Sequence, residues 1–422
     1  MTPWVEHAIW WHVYPLGFVG AEKTAVPPGT PVAHRLGGLE GWLDYVVELG
    51  CSGLLLGPVF ASETHGYDTV DHFRIDPRLG DDEDFDRLIA ASHGKGLRVV
   101  LDGVFNHVGR SFQAPPEWFR PGDTFEGHEQ LVVLDHDKPE VRQHVVDVMC
   151  HWLERGADGW RLDAAYAVPP VFWREVLAEV RPRYPEAWFF GEVIHGDYGA
   201  YAQESGLDSI TQYELWKAIW SSLNDGNFYE FAHALKRHDE LLDTFVPQTF
   251  AGNHDVTRIA SKLDDERHLG HALAILFTVA GIPSIYAGDE QAFRGVKEER
   301  VGGDDAIRPV FPARPDELAE DGWPTYRLHQ RLIGVRRRNA WLVRARTTVE
   351  HLTNEAIALR SGEGDDQVLV LLNIGDEEHR FPVDLDGFEL AVRPEDPVDP
   401  VDPAVVPAHN WYVLATGPGH AG

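Results

Sequence analysis

The chain has 422 residues, with 37 Lys and Arg against 68 Asp and Glu and a formal net charge of −31. Such a charge repels phosphate backbones and anionic lipid, which excludes nucleic-acid and membrane-surface partners and favours an uncharged ligand. The length exceeds the ~250–300 residues at which a single core stops growing, so one large domain and a smaller one are expected.

Strand-like and helix-like segments alternate from the start, the pattern of βα units and a parallel sheet. Ala8 to Tyr14 reads as a strand, Leu39 to Leu49 as a helix and Gly53 to Leu56 as a second, fully buried strand. A helix over Phe85 to His93 leads to the third strand, Leu97 to Leu101, and Pro139 to Leu153 is a helix with proline suited to its first turn. Gly159 to Asp163 is the fourth strand, Val171 to Val180 a helix, Trp188 to Glu192 the fifth strand, and Leu207 to Thr211 the sixth. Helical stretches between Glu214 and Leu242 precede a seventh strand at Phe245 to Phe250. The helix Arg267 to Val279, an eighth strand at Pro283 to Tyr286 and an amphipathic helix from Tyr326 to Arg338 complete the series. Eight such strands predict a closed α/β barrel of the TIM (β/α)8 class.

Two connections are long, Val108 to Lys138 after the third strand and Ala287 to Pro324 after the eighth, and long loops in a compact domain usually carry function. After Asn339 the texture turns to short alternating runs, Ala356 to Arg360, Val368 to Leu372 and Trp411 to Leu414, which predict a small antiparallel β-sandwich. The expected division is a barrel of residues 1–107 and 139–340, an inserted loop domain of 108–138 and a C-terminal sandwich of 341–422. Pro394 to Pro403 reads as a loop or spacer.

Cys51 and Cys150 stand alone, too few for a disulfide framework or a zinc site, which points to the reducing cytoplasm. Met1 to His7 shows no basic leader, and no stretch reaches ~18 apolar residues, so no membrane segment is expected. The acid-rich blocks Gly80 to Asp86 and Glu363 to Asp366 read as solvated surface.

The polar residues have a pattern of their own. The segment from Val99 runs into Asp102, Asn106 and His107; the fourth strand ends in Arg161 and Asp163; the fifth ends in Glu192; the seventh leads to Asn253, His254 and Asp255. Trp160 and Leu162 alternate with Arg161 and Asp163, so a guanidinium and a carboxylate share one strand face. Acids, amides and imidazoles at the C-terminal ends of successive strands are how a parallel barrel builds an active site.

Asp102-Gly103-Val104-Phe105-Asn106-His107, Gly159-Trp160-Arg161-Leu162-Asp163, Gly191-Glu192 and Asn253-His254-Asp255, in that order, closely resemble the four signature regions of the α-amylase superfamily, glycoside hydrolase family 13. The resemblance runs from about Trp10 to about Arg338. It implies Asp163 as nucleophile, Glu192 as general acid/base and Asp255 as a second carboxylate gripping sugar hydroxyls. Cleaving an acetal with retention needs two carboxyl groups about 5–5.5 Å apart, one ionised and one protonated. Arg161 would favour the ionised Asp163. The resemblance further implies sugar contacts from His107 and His254 and a platform from Tyr67 with Asp68 beside it. Arg258, three residues past Asp255, is a candidate to pair with Asp68 and close the far wall of the site, a plain surface salt bridge being the alternative. His195, Trp118 and Phe119 are candidates for more distant sugar rings.

Departures narrow the substrate. Ala164-Ala165-Tyr166 follow Asp163 where endo-acting α-amylases usually carry a Lys-His pair, and the insert shows no acid spacing for a hard cation, so neither cofactor nor structural calcium is expected. His65 to Asp71 and Pro139-Glu140-Val141 look like the cyclomaltodextrinase, neopullulanase and maltogenic amylase branch, without the N-terminal domain its members generally carry. The expected partner is a small oligosaccharide, linear or cyclic, and the oligomeric state is left open. The expected reaction is retaining hydrolysis of α-glucosidic bonds, mainly α-1,4 with α-1,6 as a further linkage. Transfer or isomerisation by the same site, as in trehalose- or sucrose-acting relatives, and a non-catalytic sugar-binding or scaffold barrel are the alternatives.

Overall fold

Short apolar runs that end in Gly, Asp or Asn form parallel strands in the computed structural model, which describes residues 3–300, 302–394 and 402–417. The chain divides into two compact units, one of residues 1–211 and 304–318, the other of 212–303 and 319–422.

In the first unit the parallel strands are β1 (Trp10–Val13), β2 (Gly53–Leu56), β3 (Arg98–Gly103), β4 (Gly159–Leu162), β5 (Trp188–Gly191) and β6 (Ser209–Ile210). They pair in the order β6-β5-β4-β3-β2-β1. β1, β2, β4 and β5 are buried throughout, as a parallel sheet with both faces covered requires. The Trp160 ring packs 6.0 Å from Phe60 and 5.6 Å from Phe105, while Trp188 stacks on Trp10 at 5.5 Å. The helix Pro139–Glu154 begins on its proline as expected. Asp82–Gly94 starts in a capping box between Asp81 and Asp84. That corrects one expectation: Asp84 is not solvated surface but buried, its side chain capping the helix and meeting His34 at 2.6 Å.

Two antiparallel pieces were not foreseen. A hairpin of Phe60–Ser62 and Thr69–Ile75 follows β2 and carries residues 64–68 at its tip. The insert after β3 is also more than loop: His107–Gly109, Leu131–Leu134 and Phe119–Thr124 form a three-stranded antiparallel sheet in that order.

In the second unit β7 (Gln248–Phe250) and β8 (Ile282–Tyr286) pair in parallel. With β1–β6 they are the eight parallel strands of a (β/α)8 barrel. The same unit holds a five-stranded antiparallel sheet of β9 (Thr347–Leu352), β10 (Ala356–Glu363), β11 (Asp366–Asn373), β12 (Phe388–Val392) and β13 (Asn410–Thr416), in the order β9-β10-β11-β13-β12. Leu369, Leu371, Tyr412 and Leu414 of that sheet pack with Phe381 and Val406, which flank or join the ribbon His379–Arg380 and Val405–Val406. Of the spacer expected at Pro394 to Pro403, residues 395–401 lie outside those described. No helix among the described residues is long and apolar enough to cross a membrane.

Candidate active site

Register puts the first charges together. Asp102 on β3 is the direct partner of Arg161 on β4, so their side chains rise from the same face. Arg161 Nη1 donates to Asp102 Oδ1 at 2.7 Å and Oδ2 at 2.8 Å, and to Asp163 Oδ1 at 3.1 Å. Its Nη2 lies 2.8 Å from Glu192 Oε1. One guanidinium therefore gathers the carboxylates from the ends of three adjacent strands. Burial disfavours its charge, but Asp102, Glu192 and Asp163 outweigh that and hold its pKa well above the ordinary value. The expectation that Arg161 serves Asp163 is thus widened, since Asp102 and Glu192 take its shorter contacts. Asp163 is 6% exposed and Glu192 7%.

Ala164 fixes the second oxygen of Glu192. Its amide donates to Oε2 at 3.0 Å, and it does so with φ 44° and ψ 37°, a left-handed conformation uncommon for a residue with a Cβ. Strain of this kind concentrates at functional sites, where the surrounding structure over-determines it.

The rim comes from the two antiparallel pieces. Tyr67 at the hairpin tip donates its hydroxyl to Asp102 Oδ2 at 3.0 Å, while Asp68 accepts the Thr64 amide at 3.0 Å and is buried. His107 stacks on Phe125 at 4.3 Å and 14°, with Nδ1 at 3.1 Å from Asn106 Nδ2. Burial, against the nearby Tyr67 carbonyl, lowers the His107 pKa to about 3, so the ring is neutral at ordinary pH. Tyr166, two residues beyond Ala164, donates to Glu126 Oε1 at 2.7 Å, and His195 meets the Tyr166 ring edge-on at 5.1 Å. Burial and Glu126 raise the Tyr166 pKa, which keeps its hydroxyl a donor. Trp118 packs on His144 at 5.2 Å, so Phe125 and Glu126 are the insert's contribution beside Tyr166.

Arg308 and Tyr14 were missed. The Arg308 guanidinium lies over the Tyr14 ring at 4.6 Å and 5.9 Å from that of Tyr67, and it pairs with Asp304 at 3.1 Å. Nothing near position 308 announces that role, because the loop it belongs to has no periodicity to read.

In the second unit, His254 Nε2 sits 2.8 Å from Asp255 Oδ2, and the Asp255 amide donates to Asn253 Oδ1 at 2.9 Å. Asn253 in turn donates to the Tyr213 hydroxyl at 2.9 Å. Asp255 is half-buried and His254 fully buried. The guanidinium expected to meet Asp68 is taken up within its own unit. Arg258 donates from Nη1 to Asp289 Oδ1 at 2.7 Å and from Nη2 to the Ala287 carbonyl at 3.0 Å, over the Tyr286 ring at 4.3 Å. Burial pushes Asp289 up to about 6 despite that partner.

Acids and imidazoles at the strand ends of a (β/α)8 barrel, with three carboxylates on one arginine, fit a glycoside hydrolase. The particular family follows from comparison: the "Alpha amylase, catalytic domain" profile matches residues 12–122 and 124–342, and the chain belongs to the alpha-amylase family. A Cyclomaltodextrinase from Geobacillus thermopakistaniensis (strain MAS1) is 29% identical over 91% of this chain and 71% of its own length. An Intracellular maltogenic amylase from Bacillus subtilis (strain 168) is 29% identical over 69% of this chain and 56% of its own. Among solved structures, a cyclic alpha-maltosyl-(1→6)-maltose hydrolase from Arthrobacter globiformis is similar with a TM-score of 0.81 and 26% identity, covering 98% of this chain and 99% of that one. It has also been solved in complex with cyclic alpha-maltosyl-(1→6)-maltose.

Proposed function

We propose that this protein is a retaining α-glycosidase that hydrolyses α-glucosidic bonds, mainly α-1,4 with α-1,6 as a further linkage, in short or cyclic malto-oligosaccharides. Asp163 attacks the anomeric carbon while the bond to the leaving oxygen breaks and Glu192 gives that oxygen its proton. Glu192 then takes a proton from water, whose oxygen replaces Asp163 on the anomeric carbon. Asp255 grips the hydroxyls of the reacting sugar, Tyr67 with Asp68 and His107 line its bed, and Arg161 keeps the nucleophile ionised. His254 and His195 complete the sugar contacts.

The observation that carries this reading is the meeting of Asp163 and Glu192 on the Arg161 guanidinium. The names of the relatives support cyclic and short α-glucans as substrates. The functional division we assign is a barrel of 1–107 and 139–340, an insert of 108–138 and a C-terminal domain of 341–422. Two free buried cysteines and a relative named as intracellular support a cytoplasmic site of action. Incubation with maltotriose, cyclodextrins and pullulan tests the activity: reducing sugar from at least one, abolished by Asp163→Ala, is the expected result. No release from any of them, or an unaffected Asp163→Ala, overturns it. Longer or rearranged sugars as the main products would move the reaction to transfer or isomerisation.

A further inference from the structure

His268 stands at the start of the helix Leu269–Thr278, and His409 immediately precedes β13, both in the second unit. Their rings stack at 5.3 Å and 27°, which brings His268 Nε2 to 3.1 Å from His409 Nδ1. Asp265 presents Oδ2 to the same Nδ1 from 4.0 Å. One ligand atom from each of Asp265, His268 and His409 lies within 4.8 Å of the other two. The second ring nitrogen of His409, Nε2, is 2.8 Å from Asp376 Oδ1.

Those contacts favour one tautomer. A proton on His409 Nε2, donated to Asp376, leaves Nδ1 as a lone pair directed at His268 and Asp265. Two imidazole nitrogens 3.1 Å apart are close to the edge, about 3.3 Å, of a tetrahedron with Zn–N bonds of about 2.0–2.1 Å. The carboxylate behind the ligating imidazole is the usual partner of a zinc histidine. A donor set of two nitrogens and one oxygen suits zinc and its late first-row neighbours better than calcium or magnesium. We propose that Asp265, His268 and His409 form a tetrahedral site for a zinc-class divalent cation, with water as the fourth ligand and Asp376 orienting His409.

Asp265 is also held by Arg267, an exposed side chain that can turn to solvent. The ion would clip the segment 265–268 to the approach of β13. It would act beside His271, whose Nε2 already ties the helix to the carbonyls of Asn373 and Asn410 at 3.0 Å each. Among the described residues the other group of suitable donors is His34 with Asp81 and Asp84, where Asp84 is taken up by the Asp81 amide, His34 and Arg87, and only one imidazole is present.

The test uses the whole chain, stripped with EDTA, dialysed and then titrated with zinc chloride, with bound metal measured by mass spectrometry. One tightly held equivalent is expected in the wild type, none at that affinity in His409→Asn, and a ~10–100-fold weaker site in Asp376→Asn. His351→Asn, which alters a histidine paired with His379 instead, should leave binding unchanged. With free zinc at 100 times Kd, the unfolded-to-folded ratio of the wild type should fall about 100-fold. A wild type that retains no zinc, or a His409→Asn that binds as tightly as wild type, overturns the proposal. If His409→Asn does not fold, Asp376→Asn decides: an unchanged zinc affinity there overturns it as well.

Discussion

Asp102 and Arg161 face each other as register partners on β3 and β4, and both carboxylate oxygens of the first accept from a single nitrogen of the second. Neither side chain has appreciable contact with solvent. Removing one member of such a pair leaves the other charged and buried, which costs about 3–5 kcal/mol. Asp102→Ala should lower unfolding free energy by that amount in urea, and kcat should fall with it because Arg161 loses its main anchor. A variant of wild-type stability would show that the pair contributes nothing.

Glu192→Gln keeps the shape of the side chain and removes the proton it transfers. Loss of a general acid lowers kcat by roughly 10²–10⁴-fold. The loss should be smaller on an aryl glucoside, whose leaving oxygen needs less help. Equal losses on both substrates would assign Glu192 some other role.

Tyr166→Phe deletes the hydroxyl that meets Glu126 at 2.7 Å without touching Asp163 or the Glu192 side-chain contacts. We expect a changed ratio of hydrolysis to transfer products and a KM raised less than tenfold, with kcat for a small aryl glucoside near wild type. Chromatography of the products checks it, and an unaltered product pattern would remove Tyr166 and the insert from substrate handling.

Burial lowers the pKa of His72 and His107 to about 3 and of His238 to about 4. In the unfolded chain these groups titrate near 6.5. Their neutral forms therefore favour the fold above that pH, and stability is lost as pH falls from about 6.5 towards 3–4, by about 1.4 kcal/mol per pH unit for each ring. Urea midpoints at pH 7, 6 and 5 should fall in turn, and His238→Gln should flatten the slope. A midpoint constant over that range would contradict the buried neutral rings.

Gly159 opens β4 where the backbone of Trp188 on β5 crowds it, so an added Cβ would fall inside contact distance of the Trp188 carbonyl. Gly159→Ala should lower the thermal midpoint or prevent soluble expression altogether. Wild-type melting would mean that these strands can separate without penalty.

The parallel strands were legible because each is a short apolar run closed by residues that a core would reject. Asp102, Arg161, Asp163 and Glu192 could be placed at strand ends for the same reason. Two-residue alternation also put Arg161 and Asp163 on one face. What stayed hidden depends on contacts between distant segments. The pairing of Phe60–Ser62 with Thr69–Ile75 has a shifted register that no alternation pattern reveals. Among the aromatic residues of the insert, composition could not tell Phe125, which stacks on His107, from Trp118, which packs on a helix. Arg258 looked like a charge for the site until Asp289, 31 positions later, proved to be its partner.

Ala164 keeps a conformation that glycine would adopt with less strain, in order to aim one amide at Glu192. A thermostability screen would therefore be expected to select Ala164→Gly, and the variant that survives heating best should turn over substrate more slowly. Durability and speed would then be set against each other at one backbone dihedral, and engineering for heat tolerance would be better directed at positions away from the end of β4.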